Sequence, residues 1–329
     1  MYQFLIWSGI FISFRAFDNL QFEDLSKAMK EVKIPDQIRN WYMFYSNNRK
    51  VACNLQSTTL EVQPTQGSGQ GGVLSPPCWN LVISSLSKLF KGRVKLITYA
   101  DDVTLVIHGP KLKTLYRLMQ SALDKALKWG SDHGLIFNPT KTNAMAVGCR
   151  SQPTDTLKLN GVEINNVDSI TYLGVLFDRK LSFNQHLSAK IDKCTKLLYS
   201  VRKMVGSDWG LSPKVCRWIY DTFIIPSILY GCHLWATKSI TRSIQAKLKK
   251  LQRLCCLFIS GSCRTTPTAT MEAVLGLLPL DLKAKARAAE TVWRLSGTLD
   301  NDPVPSGHLL LTQLWYPNSS IIEECESWD

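Results

Sequence analysis

The four residues Tyr99-Ala100-Asp101-Asp102 are where this sequence concentrates chemistry. They sit inside residues 94–107, VKLITYADDVTLVI, where two apolar, strand-like runs flank two acids at a turn. Adjacent carboxylates at the tip of an apolar hairpin repel each other and resist burial. A divalent cation removes that conflict, and hard oxygen ligands suit magnesium. Two such ions about 4 Å apart can activate a primer 3′-hydroxyl and neutralise a leaving pyrophosphate, as nucleotidyl transfer requires. A polar Asp-Asp turn without chemistry fits these four residues equally well.

Other elements must position the pair. Upstream, a glycine cluster, Gly67-Ser68-Gly69-Gln70-Gly71-Gly72, leads into Val73-Leu74-Ser75-Pro76-Pro77 and a helix to about Phe90. The prolines suit a helix start, and Ser75 is the expected cap. Residues 19–48 read as two helices broken at Pro35, with Asn19 as a candidate cap. Runs Lys50–Leu55 and Thr59–Gln63 read as a hairpin. Downstream, Leu112, Leu115, Met119, Leu123 and Leu127 mark an amphipathic helix. Short strands follow near 144–147, 157–164 and 169–177. After Leu181 the pattern turns helical. One face carries Phe183, Leu187, Ile191, Cys194, Leu198, Val201 and Val205. A helix over about 212–234 should bend at Pro226. Another, 240–259, turns Ile244, Leu248, Leu251, Cys255 and Phe258 inward and carries Lys247, Lys249, Lys250 and Arg253 elsewhere. A last one covers 281–296.

Composition narrows the partners. The 329 residues carry a formal net charge of +13, which points to a polyanion such as nucleic acid. Hydrophobic residues make up 45%, so a folded chain is expected rather than a disordered one. The ten cysteines include no C-x-x-C pair, which argues against structural zinc and leaves reduced thiols as the expected state. The apolar stretch 1–17 lacks the basic segment and cleavage site of a secretion signal and is short for a membrane span, so the expectation is a soluble chain with no membrane partner.

The ordered motifs resemble one family. GSGQGGVLSPPCWNL followed about thirty residues later by YADD is similar to the reverse transcriptases of non-LTR, jockey-like retrotransposons. So are Gly134-Leu135 with Asn138-Pro139-Thr140-Lys141-Thr142, Tyr172-Leu173-Gly174-Val175 with Asp178, Leu181 and His186, and further stretches near 209–214, 230–231 and 264–268. The resemblance covers about residues 15–295. It implies an α+β fold: a polymerase right-hand palm, an antiparallel sheet with packed helices, followed by an all-helical thumb and C-terminal helical region. The expected divisions are 1–14, an apolar segment that does not match; 15–180, an incomplete palm; 181–300, thumb and connection; and 301–329, a weakly patterned tail.

By the same resemblance Asp101 is the chief metal ligand and Asp102 its neighbour, with Mg2+ as cofactor and Mn2+ as substitute. Gln70 and Gly71 meet the incoming nucleotide and template. Phe17, in Ala16-Phe17-Asp18, lies under the sugar as a steric gate, and Lys141 lies near the triphosphate as a proton donor. Lys247, Lys250 and Arg253 are candidates for gripping nucleic acid; a solvated helix face fits them equally well. The implied partners are an RNA template, a DNA primer and deoxynucleoside triphosphates, in the nucleus or cytoplasm.

Two departures matter. Relatives carry a catalytic aspartate six residues before Asp18, and here that position is Ile12, which cannot ligate a metal. The match resumes sharply at Ala16, so residues 1–14 read as foreign sequence. Gly69 stands where relatives have proline. No fingers region, endonuclease or ribonuclease H signature is legible. The implied activity is RNA-directed DNA synthesis impaired at Ile12; the alternative is a catalytically dead nucleic-acid-binding remnant.

Overall fold

The apolar runs around the acid pair with each other and with the N-terminal segment. The structure, a computed structural model, describes residues 4–11, 17–55, 58–69, 71–148, 155–204, 209–236 and 241–299. It divides into two units between Asp168 and Ser169.

The first unit runs β1 (Phe4–Phe11), α1 (Phe22–Glu31), α2 (Asp36–Asn47), β2 (Val51–Leu55), β3 (Thr58–Val62), α3 (Ser75–Ser87), β4 (Val94–Tyr99), β5 (Asp102–Gly109), α4 (Leu112–Asp132), β6 (Asn143–Val147), β7 (Leu157–Leu159) and β8 (Val162–Asn166). Six strands form one sheet in the order β4-β5-β1-β6-β8-β7, and β2 and β3 form a separate hairpin. The six-stranded sheet is antiparallel except where β6 meets β8 in parallel, Asn143 opposite Asn165. The segment expected to stand apart is therefore a central strand. β1 pairs with β5 along its length, from Phe4 opposite Gly109 to Phe11 opposite Asp102, and with β6 on its other edge.

Alternation along β5 explains its composition. Val103, Leu105 and Ile107 join a core with Trp79, Val82, Ile83 and Leu86 of α3 and Leu115, Met119, Leu123 and Ala126 of α4. Thr104 and Val106 point to the opposite face and are also buried. Both caps expected in this unit differ. Helix α1 starts after Gln21 rather than Asn19, with no side-chain cap. Ser75 is already the first residue of α3, and Leu74 precedes it without capping.

The second unit runs β9 (Ser169–Tyr172), β10 (Val175–Asp178), α5 (Asn184–Arg202), α6 (Pro213–Ile219), a π-helical segment Tyr220–Ile224, α7 (Ile225–Leu229), α8 (Cys232–Trp235), α9 (Arg242–Ser260), α10 (Thr268–Leu275) and α11 (Leu280–Leu299). The β9–β10 hairpin belongs with the helices rather than with the sheet, so the division falls earlier than 180. Asp178 is the reason. Its carboxylate accepts hydrogen bonds from the backbone N–H of Lys180, Ser182 and Phe183 at 3.0, 3.1 and 2.7 Å, tying the hairpin to the start of α5. The single helix expected over 212–234 is three short helices with a π-helical segment inserted. Proline at 226 offers no N–H and crowds the preceding turn, and the wider π turn lies just before it. Gly231, at φ +67°, then breaks the run before α8. The inward face expected for α9 is buried as read, from Ile244 to Phe258. Helix α10 has no counterpart in the sequence reading; its eight residues, TATMEAVL, bury only Met271 and so carry little periodic signal. The tail from 300 onward lies outside the described residues.

Candidate active site

The hairpin β4–β5 closes with two residues. Tyr99 lies opposite Asp102, which leaves Ala100 and Asp101 as the loop. The two acids are thus not equivalent: Asp101 projects from the tip, exposed, while Asp102 opens β5 and is half-buried. Ala100 adopts φ +49°, the left-handed region that glycine favours. The indole N–H of Trp79, from the second turn of α3, donates to the Ala100 carbonyl at 2.8 Å.

Helix α3 also holds the glycine loop. The Ser75 hydroxyl, expected to cap, instead donates to the Gly69 carbonyl at 2.6 Å. The loop is stitched to the segment before α1 by two backbone bonds, Gly67 N–H to Leu20 and Ser68 N–H to Phe17, both 2.8 Å. A Cβ at Gly67 would come within 2.5 Å of the Asp18 carbonyl oxygen, and φ there is +86°, so only glycine fits. Arg49 Nη2 donates to the Gly67 carbonyl at 3.1 Å from the other side. Asp18, Arg49 and Gly67–Gly69 border an open cavity of about 640 Å3. The ring of Phe17 packs 5.6 Å from that of Trp79. Phe17, the glycine loop and the acid pair, far apart in sequence, therefore meet through α3.

Burial pushes the Asp102 carboxyl above the usual range, and the neighbouring Asp101 charge adds to the shift. A cation at the tip would relieve both effects. The pair fits a divalent ion as a two-carboxylate, hard-oxygen donor set. Among the described residues no cluster of three or more His, Cys, Asp or Glu is placed to hold an ion, so no third acid joins the pair there. Ile12 and Gln70 lie outside the described residues. β1 ends at Phe11, opposite Asp102.

A sequence profile described as reverse transcriptase (RNA-dependent DNA polymerase) matches residues 13–177. This chain belongs to the reverse transcriptase family. The matched residues take in most of the sheet-and-helix unit and continue through the β9–β10 hairpin, and the mixture of sheet and helices agrees with the α+β class expected of that family. It is 27% identical over 323 residues to a 115 kDa protein in the type-1 retrotransposable element R1DM of Drosophila melanogaster, covering 97% of this chain and 31% of the relative. It is 26% identical to a retrovirus-related Pol polyprotein from the type-1 element R1 of Bradysia coprophila, over 92% of this chain and 30% of that one. The RNA-directed DNA polymerase from the mobile element jockey of Drosophila melanogaster is 23% identical over 88% of this chain and 32% of its own length. The chain thus spans about a third of the length of these relatives.

The remaining residues of this reverse transcriptase unit that sequence singled out fall in distinct settings. Gly71 is exposed at φ +85°, and a Cβ at that position would meet nothing within 4 Å, so its backbone conformation rather than space calls for glycine. Lys141 is exposed in the turn before β6. Asn138 shapes that turn: its Oδ1 accepts from the Thr140 N–H at 2.9 Å and the Thr140 hydroxyl at 2.7 Å. In the helical unit, Lys250 is exposed and Lys247 donates to the Ser188 hydroxyl at 2.8 Å. Arg253 is committed to its own fold: its guanidinium donates to the Thr266 carbonyl and Thr268 hydroxyl, both at 2.9 Å, and to the Arg264 carbonyl. Trp79, Ser75 and Arg49 escaped the sequence reading of the site. A tryptophan seven residues after the glycine cluster, in the second turn of the helix that follows it, was the available signal for the first.

Proposed function

We propose that this chain is the RNA-directed DNA polymerase unit of a non-LTR retrotransposon, adding deoxynucleotides to a primer 3′-hydroxyl on an RNA template. The observation that carries this reading is the two-residue turn that presents Asp101 and Asp102 beside the glycine loop, with α3 bonded to both. Asp101 and Asp102 would hold Mg2+, or Mn2+ in its place, which supplies Lewis-acid stabilisation of the phosphate charge when bound. Phe17 would support the deoxyribose, Gln70 and Gly71 the base pair, and Lys141 would hold a proton near the leaving pyrophosphate. Lys247 and Lys250 would contact the nucleic-acid backbone, making binding fall steeply with salt. Arg253, with three of its N–H groups donated to residues 264–268, would contribute by supporting that stretch.

Isoleucine at position 12 lacks the carboxylate that the resemblance assigns there, so the unit would work slowly. A binding remnant without synthesis is the second reading, favoured by the absence of a third acid beside the pair among the described residues.

Primer extension on a primed RNA, with magnesium and then manganese, separates the two. Extension that disappears in Asp101→Asn supports the polymerase reading. Salt-sensitive binding without extension supports the remnant, and Ile12→Asp then tests whether the lost carboxylate is the cause.

A further inference from the structure

We propose that Trp79 is a positioning residue that locks the hairpin turn carrying Asp101 and Asp102 in its left-handed geometry. The inference rests on the polymerase reading above only for its catalytic consequence; its structural part stands alone.

The turn needs an external hold. A positive φ at the first of two hairpin loop residues is a conformation for which glycine is the favoured residue. This chain places Ala100 there, at φ +49°. An alanine in that region costs about 1 kcal/mol relative to its preferred conformations. The adjacent carboxylates repel, which adds a second reason for the tip to open. Nothing in the loop sequence, Ala-Asp, offsets either effect.

Trp79 supplies what the loop lacks. Its ring is 1% exposed, fixed in the core by α3 and the sheet. Its Nε1–H is 2.8 Å from the Ala100 carbonyl, the group whose direction the loop conformation sets. The opposite end of the same helical stretch is bonded to Gly69 through Ser75. Phe17 leans on the Trp79 ring at 5.6 Å. One side chain thus touches the turn that displays the acids and the ring assigned to the sugar. A phenylalanine at 79 would keep the site apolar, with a cavity where the indole's second ring was, and would leave the carbonyl without this donor.

Amide hydrogen exchange across the full chain tests the proposal without requiring synthesis. In Trp79→Phe, exchange at Asp102, which closes the turn opposite Tyr99, should quicken about tenfold, the scale of one lost hydrogen bond. Exchange in α4 and along β1–β6 should stay as it was. Adding Ala100→Gly should restore slow exchange, because glycine adopts the turn unaided; a tryptophan needed only for packing would give no such rescue. If Trp79→Phe unfolds the chain, a tryptophan isostere with sulfur in place of the N–H keeps the shape and removes only the donor. Unchanged exchange at the turn in the isostere, or faster exchange that Ala100→Gly does not reverse, would overturn the proposal. Primer extension is read alongside: kcat falling with the turn's exchange, and recovering in the double variant, carries the positioning into catalysis. A parent chain that makes no product would defeat the polymerase reading while the exchange result still decides the role of Trp79.

Discussion

The Asp101–Asp102 turn and the Asp178 corner both place an aspartate at a strand end beside non-glycine residues in the left-handed region. They use the carboxylate in opposite ways. At the corner, Leu181 and Phe183 have φ +54° and +53°, and Asp178 holds them. Its two oxygens accept three backbone N–H groups and the Ser182 hydroxyl, the last at 3.1 Å. A carboxylate with four donors is stabilised in place and has little left to offer a ligand. At the turn the holder is Trp79, an apolar side chain with one donor, and the acids are the groups being held. Asp102 has a like charge for a neighbour, and burial keeps its carboxyl above the usual range. Saturated acids build corners; acids left in conflict are available to a cation.

The sharpest break in that comparison is Asp101→Asn against Asp178→Asn. The first should lower primer extension by two or more orders of magnitude without loss of thermal stability, since it removes a repulsion. The second should leave whatever synthesis remains tied to stability alone. Matching activity losses that track melting temperature in both would erase the distinction.

Next in size, Asp178→Ala should destabilise the helical unit by about 3 kcal/mol, because four donors lose their acceptor at once. Urea titration followed by circular dichroism would read it. A cost under about 1 kcal/mol would mean that water takes over the carboxylate's bonds.

The corner should also be the acid-sensitive part of the fold. His186 is 2% exposed, and its Nδ1 accepts from the Leu176 N–H at 3.2 Å. Burial, with Lys190 nearby, lowers its pKa from the ordinary 6.5 to about 4, although the Tyr230 backbone pulls the other way. The unfolded chain therefore binds a proton first as pH falls. The stability that neutral His186 contributes is intact above about 6.5 and is lost progressively toward pH 4, on the order of 3 kcal/mol in all. Urea midpoints between pH 7 and 4.5 should show the loss, and His186→Gln should flatten it.

The smallest effect concerns the turn. Mn2+ binding should weaken as acid protonates Asp102, and at higher pH than an unperturbed carboxyl would require. Asp101→Asn should move that midpoint down while reducing affinity. Titration by calorimetry at several pH values checks both, and an unmoved midpoint would mean that burial alone sets the shift.

Much of this architecture is legible in the chain's own residues. Apolar alternation and turn residues locate the β4–β5 hairpin, heptad-like spacing locates α4 and α9, and the order of motifs identifies the family. Local pattern suffices there because each element's own residues decide its form. The tertiary structure decided what depends on partners distant in sequence. It made residues 4–11 a central strand, since an apolar octapeptide carries no record of which strands will flank it. It took Ser75 from cap to loop clamp and committed Arg253 to a neighbouring loop, because a donor's use depends on which acceptor the fold brings within about 3 Å. It moved the division between units to Asp168, through bonds that only the folded corner can make. The sequence by itself determined which acids are adjacent; only the fold decided that a tryptophan twenty-one positions before Ala100 holds the turn that displays them.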